Sequence, residues 1–271
     1  MRNDLYQESF EQETYYWWHI AKQKLVSAFL KKYLKEKRIR VLDIGCGTGG
    51  MLNSLKTLAF VCGVDKSETA LKFAKKRGLK NLIKHDFAKN RLPIKDSSYH
   101  AVLALDVLEH LKNPDFVLEE ISRILKPGGI LIVIVPAYKF LWSYWDEVLG
   151  HYTRYSKKEI ASLLEKEGYY SMYSSYFHST ILPLATLARF IKQKIYNFSK
   201  KINEAPTDLR PGFSAKGDKN EIHSDFRPLP NWLNNFLNLI SSFERLLLSR
   251  GTLPFGLSII TISKKNGSKK S

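Results

Sequence analysis

The decamer VLDIGCGTGG at positions 41–50 constrains this chain more than any other segment. A short apolar run ends in three glycines at alternate positions, Gly45, Gly47 and Gly49. That pattern reads as a buried strand fed into a tight turn and then a helix. Glycine lets the backbone reverse there and lets a ligand reach the amides without meeting a Cβ. The next apolar run, FVCGVD, ends in Asp65, 20 residues beyond Gly45. An acid at that distance is placed to hold a ribose diol.

The rest of the first 178 residues keeps the same rhythm. Residues 11–35 read as a helix that caps the N-terminal side, with Tyr15, Trp18, Leu25, Phe29 and Leu34 at helical recurrence. Further strands are expected at 81–86, 99–105 and 130–136. Helices are expected at 67–78, capped by Ser67 and stopped by Gly78, and at 114–125, stopped by the Lys126-Pro127-Gly128-Gly129 turn. Continuous apolar strands alternating with helices mark a parallel sheet covered on both faces, an α/β fold. After residue 150 come a helix at 156–168, a strand at 169–178 and a last strand at 256–265. Residues 179–255 separate those two strands as an insertion with apolar helices at about 180–198 and 231–249. Its centre, 203–230, is rich in Pro, Gly, Asp and Lys and reads as a flexible linker, and 266–271 is a basic tail.

Electrostatics separate two cofactors that use such a turn. A dinucleotide wants G-x-G-x-x-G and brings a pyrophosphate to the helix N-terminus. Here the spacing is G-x-G-x-G, and Asp43 stands just ahead of it. An acid there repels a pyrophosphate and suits an ammonium group. S-adenosylmethionine carries an ammonium, a sulfonium and a ribose, and no phosphate, so it is favoured over NAD.

Four segments, VLDIGCGTGG, VCGVDKSETAL, KHDFAKNRLPIKDSSYHAVLALDVLEHL and ILKPGGILIVIVP, resemble those of class I S-adenosylmethionine-dependent methyltransferases. The likeness covers roughly residues 10–178 and the last strand. It implies a Rossmann-like, mostly parallel sheet of seven strands with helices on both faces. It also implies that Asp43, Gly45, Gly47 and Gly49 hold the methionine part of the cofactor, with Asp65 and its neighbour Lys66 at the ribose. Asp86 and Phe87 would take the adenine, and Leu105 and Asp106 would floor the site. His100 departs from the family, which usually has an Asp at that point.

Two constellations carry candidate chemistry. Asp106, Glu109 and His110 stand at i, i+3 and i+4. In similar ubiquinone-pathway O-methyltransferases a Glu-x-x-Glu-His version binds a divalent metal. The reading adopted here is no metal, with His110 as candidate base. The second constellation, DEVLGHYTRYS, holds Asp146, His151, Tyr152, Arg154 and Tyr155 after the fifth strand. His151 and Arg154 are candidate catalytic residues that recognise a phosphate or carboxylate; the alternative is a loop anchor pairing Arg154 with Asp146 or Glu147. YYWWHIAKQK at 15–24 resembles an aromatic N-terminal helix of the same family subset, with Trp17 and Trp18 either in the core or over the site.

Charge bears on partners. The net charge is +17, and three blocks, 22–40, 189–201 and 264–271, carry nearly all of it. A uniformly basic groove would indicate nucleic acid. Local blocks beside apolar helices fit an anionic membrane surface, so the insertion is read as a lid that admits a small or lipid-linked acceptor. Nucleic acid is disfavoured because Leu-Asp-Val stands where an Asp/Asn-Pro-Pro-aromatic element is expected, and neither Cys46 nor Cys62 is in a Pro-Cys context. Two cysteines and a polar, acidic start point to a reducing, cytoplasmic setting, peripheral to a membrane at most. The expected function is O-methylation of a small or lipid-like acceptor; the rivals are an RNA or protein methyltransferase and a non-catalytic binding domain.

Overall fold

In the computed structural model, residues 3–36, 38–187, 190, 191, 194 and 229–265 are described. Seven strands form one sheet: β1 (Ile39–Ile44), β2 (Ala59–Asp65), β3 (Leu82–Lys84), β4 (Tyr99–Leu105), β5 (Leu125–Pro136), β6 (Tyr169–Phe177) and β7 (Ser258–Lys265). Their order is β3-β2-β1-β4-β5-β7-β6. The first five are parallel and β7 runs antiparallel to both β5 and β6. This is the expected fold class. The strand order reverses between β1 and β4, and ligands of open α/β sheets bind in the crevice beyond the strand ends at such a point.

Among the described residues the sheet is surrounded by α1 (Asn3–Gln12), α2 (Trp17–Tyr33), α3 (Gly50–Leu55), α4 (Glu68–Lys76), α5 (Asp115–Ile124), α6 (Tyr144–Leu149), α7 (Lys157–Lys166) and α8 (Asn231–Arg250). Alternate residues of each parallel strand point to opposite faces. Val41, Leu103 and Ile132 therefore pack with Leu25, Phe29 and Leu30 of α2, and Leu42, Val102 and Val133 with Leu118 and Ile121 of α5. Each such fully buried side chain contributes roughly 1.5–3 kcal/mol of transfer free energy. His100, the departure from the family pattern, accepts the Arg40 amide hydrogen on Nδ1 at 2.9 Å and so ties β4 to β1.

Several sequence expectations are corrected. The helix read at 11–35 is two helices, because the chain breaks at 13–16 to turn Glu13 into the glycine turn. The Lys126–Gly129 turn is not a stop between elements: β5 begins at Leu125, and the ladder with β4 shifts register between Tyr99 and Ala101. The strand expected at 81–86 is only Leu82–Lys84. Most of the linker at 203–230 and the whole tail at 266–271 lie outside the described residues.

Helix α8, in the insertion read as a lid, turns its apolar stripe outward, and its buried residues are Asn234, Ser241, Glu244 and Leu248. Hydrogen bonds set this orientation. Asn234 Oδ1 accepts the Trp17 amide hydrogen at 2.9 Å, and Asn234 Nδ2 donates to the Tyr15 carbonyl at 3.0 Å. Trp17 opens α2, whose own N-cap, Tyr16, supplies no side-chain bond. Asn234 is thus a cap delivered from a distant helix. Asn234→Ala should cost about 1–2 kcal/mol, a fall of roughly 2–8 °C in melting temperature for a chain of this size. An unchanged melting curve would show that α8 does not cap α2.

Candidate functional site

The glycine turn after β1 follows from its local chemistry. Gly45, Gly47 and Gly49 all take positive φ, at 71°, 54° and 81°. They do so for different reasons. A Cβ on Gly45 would stand 2.7 Å from Val107 Cγ2, whereas a Cβ on Gly47 would meet nothing within 4 Å. Open space beside a left-handed glycine is what a ligand-facing turn needs. Asp65, at the end of β2, holds the turn: its Oδ2 accepts from the Gly47 amide at 2.9 Å and its Oδ1 from the Ser67 amide at 2.8 Å.

Glu13, between α1 and α2, closes the turn from above. Its Oε2 accepts from the Gly50 amide at 3.0 Å, from Arg77 Nη2 at 2.9 Å and from the Thr48 hydroxyl. A carboxylate at a helix N-terminus satisfies an orphan amide and the helix dipole together. The fit requires glycine at 50, where a Cβ would come within 2.5 Å of Glu13 Oε2. Beneath this cap lies a cavity of about 520 Å³, lined from the cofactor side by Asp43, Gly45, Gly47, Leu105 and Asp106. The volume falls in the usual range for small-ligand sites, roughly 300–1,000 Å³.

The cavity is rich in buried carboxyls. Burial, then the charges of Glu13 and Asp65, push the Asp43 carboxyl up to about 8 against the pull of Lys22. Glu13 is raised as well, chiefly by burial. Lys22 reaches in from α2 and pairs with Asp106. Burial pulls its pKa down, but Asp106 and the neighbouring Glu109 and Glu13 outweigh it and hold the pKa above the ordinary value. Asp106 itself sits at φ 55°, a left-handed conformation that costs a non-glycine residue energy and that recurs at functional sites.

Opposite the glycine turn, α6 and the loop after it build a second wall. Asp146 is buried and accepts from Arg154 twice, Nε at 2.7 Å and Nη2 at 3.0 Å, while Arg154 Nη1 donates to the Ala137 carbonyl at 3.2 Å. The guanidinium is therefore spent on the loop, the anchoring alternative set out for it above. Asp146 also meets His151 Nδ1 at 2.8 Å. These partners overcome burial and hold the Asp146 carboxyl well below the carboxylate range. A carboxylate accepts only, so His151 Nδ1 carries a proton in this bond, and in the neutral imidazole Nε2 is the acceptor. His110 Nδ1 likewise meets the Gly150 carbonyl at 3.2 Å, and the two imidazoles lie edge to face at 4.7 Å. Burial, then His151, lowers His110 to about 4.

Glu109 completes the wall. It is fully buried, its Oε2 has no hydrogen-bond partner among the described residues, and burial followed by the Asp106 charge raises its pKa well above the ordinary value. Among the described residues, ligand atoms of Glu109, His110 and His151 all lie within 4.8 Å of one another. The metal set considered in the sequence had Asp106 in place of His151. The structure pairs Asp106 with Lys22 instead.

Thus Asp43, Gly45, Gly47, Leu105, Asp106, His110, His151 and Arg154 share one cavity. Asp65 and Gly49 support the turn from behind, Lys66 is exposed, and Asp86 and Phe87 are half-buried outside the lining. Phe87 lies close enough to Gly45 that a Cβ there would be 3.8 Å from its ring. Sequence reading missed Glu13 and Lys22. Both stand among many other charged residues, Glu13 beside Glu8 and Glu11 and Lys22 at the start of a basic block, so no local signal singled them out.

Comparisons with known proteins place the chain in a family and a fold. Residues 17–172 match the family described as a methyltransferase domain. A ubiquinone biosynthesis O-methyltransferase of Maricaulis maris is 36% identical over 99 residues, 35% of this chain and 39% of that protein. The chain thus spans well under half of that relative. An uncharacterised protein of Methanocaldococcus jannaschii is 32% identical over 197 residues, 71% of this chain and 80% of that one. An S-adenosylmethionine-dependent methyltransferase of Thermotoga maritima superposes with a TM-score of 0.56 at 19% identity, covering 97% of this chain and 96% of that one. At that identity the likeness concerns the fold.

The raised Asp43 carboxyl gives a testable linkage. Between the ordinary carboxylate range and about pH 8 the folded chain keeps a proton that the unfolded chain has lost. This group therefore makes stability fall as pH rises through that window. A ligand ammonium beside Asp43 reverses the shift and expels the proton. Calorimetric titration with S-adenosylhomocysteine near neutral pH, in buffers of different ionisation enthalpy, should show proton release of up to about one per site. Asp43→Asn should abolish it; equal release from both proteins would contradict the assignment.

Proposed function

The chain belongs to the methyltransferase-domain family, and we propose that it transfers the methyl group of S-adenosylmethionine to a hydroxyl of a small or lipid-like acceptor. The observation that carries the reading is a cavity with two unlike walls: buried carboxyls around a ligand-facing glycine on one side and an oriented histidine on the other. Bound S-adenosylmethionine supplies an electrophilic methyl on a cationic sulfur. Asp43 and Glu13 favour the cationic end, the Gly47 turn leaves room for close approach, and Asp65 stands at the ribose side. Lys22 and Asp106, locked together, keep the floor between the two walls rigid. Asp86 and Phe87 are assigned to the adenine, and Lys66 to the edge of the ribose pocket.

A hydroxyl acceptor must lose its proton as the new bond forms. His151 is assigned that role. Asp146 fixes its tautomer and orientation, Arg154 anchors Asp146, and Nε2 is left as the acceptor. His110, with its pKa near 4, binds a proton too weakly to be an efficient base near neutrality. It is assigned instead to packing and hydrogen bonding beside His151. Little else is demanded of the protein beyond alignment of the acceptor within about 3 Å of the methyl group.

A specific observation favours a second reading of the same wall. Glu109, His110 and His151 converge, both imidazole Nδ1 atoms are engaged elsewhere, and Glu109 Oε2 lacks a partner. Such outer hydrogen bonds also orient metal ligands. A divalent ion held by the three would lower the hydroxyl pKa and replace the base. The experiment is S-adenosylhomocysteine release with phenolic amphiphiles, with RNA and with protein as acceptors. Turnover is expected with the amphiphiles and insensitive to chelator; His151→Gln should lower kcat roughly 10²–10⁴-fold with S-adenosylhomocysteine affinity within about twofold. Loss of turnover with chelator and recovery with added divalent ion would select the metal reading. Turnover confined to RNA or protein would overturn the acceptor class.

A further inference from the structure

A helix on the surface of a water-soluble domain turns its apolar side inward. Helix α8 does the reverse. Asn234, Ser241 and Glu244 are buried, whereas Trp232, Phe236, Leu239, Phe243, Leu246 and Leu247 form an outward stripe whose members are 42–70% exposed. The inversion is held by specific bonds: Asn234 caps α2, and Glu244 Oε1 accepts the Ser179 amide hydrogen at 3.0 Å. Rotating α8 to hide its apolar face would leave those buried amides without partners.

The other helical part of the insertion repeats the pattern. Residues 182–187, 190 and 191 are helical, and Leu184, Leu187, Phe190 and Ile191 are 50–70% exposed. Ile181 and Ala185, one turn apart, line the cavity. One short stretch thus presents its inner side to the reaction site and its outer side to the surroundings.

Charge identifies what covers this surface. Across residues 178–202 and 229–265 a single acidic residue occurs, Glu244, and it is buried. The same stretches carry Arg189, Lys192, Lys194, Lys200, Lys201, Arg245, Arg250, Lys264 and Lys265. A second copy of the chain meeting this face about a two-fold axis would bring the positive charges of these stretches together, with Glu244, their one acid, buried away from the contact. An anionic bilayer answers both properties, taking aromatic and aliphatic side chains into the boundary between headgroups and chains and leaving Lys and Arg at the phosphates. No helix among the described residues is long and apolar enough to cross a membrane, so the contact is interfacial.

We infer that the outer faces of α8 and of residues 182–187, 190 and 191 dock the protein on an anionic lipid surface, roughly 5–10 Å deep, with the cavity wall at Ile181 and Ala185 beside the bilayer. The docking stands by itself. Its consequence, that the methyl acceptor is an amphiphile entering from the lipid phase with its hydroxyl toward His151, rests on the proposed methyltransferase activity.

The test is sedimentation of the full chain with vesicles of phosphatidylcholine alone and of phosphatidylcholine with phosphatidylglycerol. Binding is expected to the anionic vesicles, weakening as salt is raised, with at least about a tenfold loss in the triple variant F236S/L239S/F243S. That variant should remain folded and still gain thermal stability from S-adenosylhomocysteine. If it fails to fold, Leu184→Ser with Leu187→Ser on the other helix should give the same loss. No binding to anionic vesicles, equal binding by folded variants, or a dimer that the substitutions turn into a monomer would each overturn the proposal. A chain that binds vesicles but gains no stability from S-adenosylhomocysteine would refute the cofactor reading and leave the docking intact.

Discussion

The grip of Glu13 on the glycine turn organises the site. A single carboxylate takes the Gly50 amide, the Thr48 hydroxyl and the Arg77 guanidinium, three groups that belong to the turn and to the end of α4. To reach them the chain must break between α1 and α2, and the break sets the start and direction of α2. Lys22 and the aromatic residues at 16–18 are then carried to the cavity. The same break exposes the first amides of α2, which α8 caps through Asn234. One buried polar contact thus couples the cofactor turn, the N-terminal cap and the insertion. Such a contact is costly to leave half-made, which favours all three parts assembling together.

Charge balance gives the site its chemical bias. Of the carboxyls Asp43, Glu13, Asp106 and Glu109, Glu13 is paired with Arg77 and Asp106 with Lys22, and Arg154 is taken by Asp146, so among the described residues Asp43 and Glu109 have no cation of their own. A region with that surplus holds protons on some of its carboxyls until a positive ligand arrives. It is suited to an ammonium or a sulfonium and unsuited to a pyrophosphate. On the far wall the order of hydrogen bonds, from Arg154 to Asp146 to His151, defines one imidazole lone pair without help from any ligand.

What the sequence revealed follows from the range of each interaction. The glycine turn, the parallel strands and Asp65 were legible because their signals are local: an apolar run, a stop, an acid at a fixed distance. The proximity of His110 and His151 was not, since 41 positions separate them and it is bonds from Gly150 and Tyr152, after α6, to the turn at Glu109 and His110 that unite them. The fate of Arg154 was readable only as a choice, for a buried Asp146 and a free carboxylate ligand are equally good partners on paper. Glu13 and Lys22 were overlooked because each is one of several like charges in its own stretch, and only the fold selects the one that is buried. The orientation of α8 was not legible from its apolar stripe, because two buried polar residues, Asn234 and Glu244, turn that stripe outward through bonds to distant backbone amides.

Recognition of an adenosyl ligand by the Asp43–Gly47–Asp65 turn is the claim on which the rest depends. Thermal unfolding with S-adenosylhomocysteine and, separately, with NAD tests it most directly. At about 100 times its dissociation constant the adenosyl ligand should stabilise the protein by ~2.7 kcal/mol, a rise of several degrees, while NAD leaves the curve unmoved. No rise with S-adenosylhomocysteine, or a rise with NAD, would contradict the account.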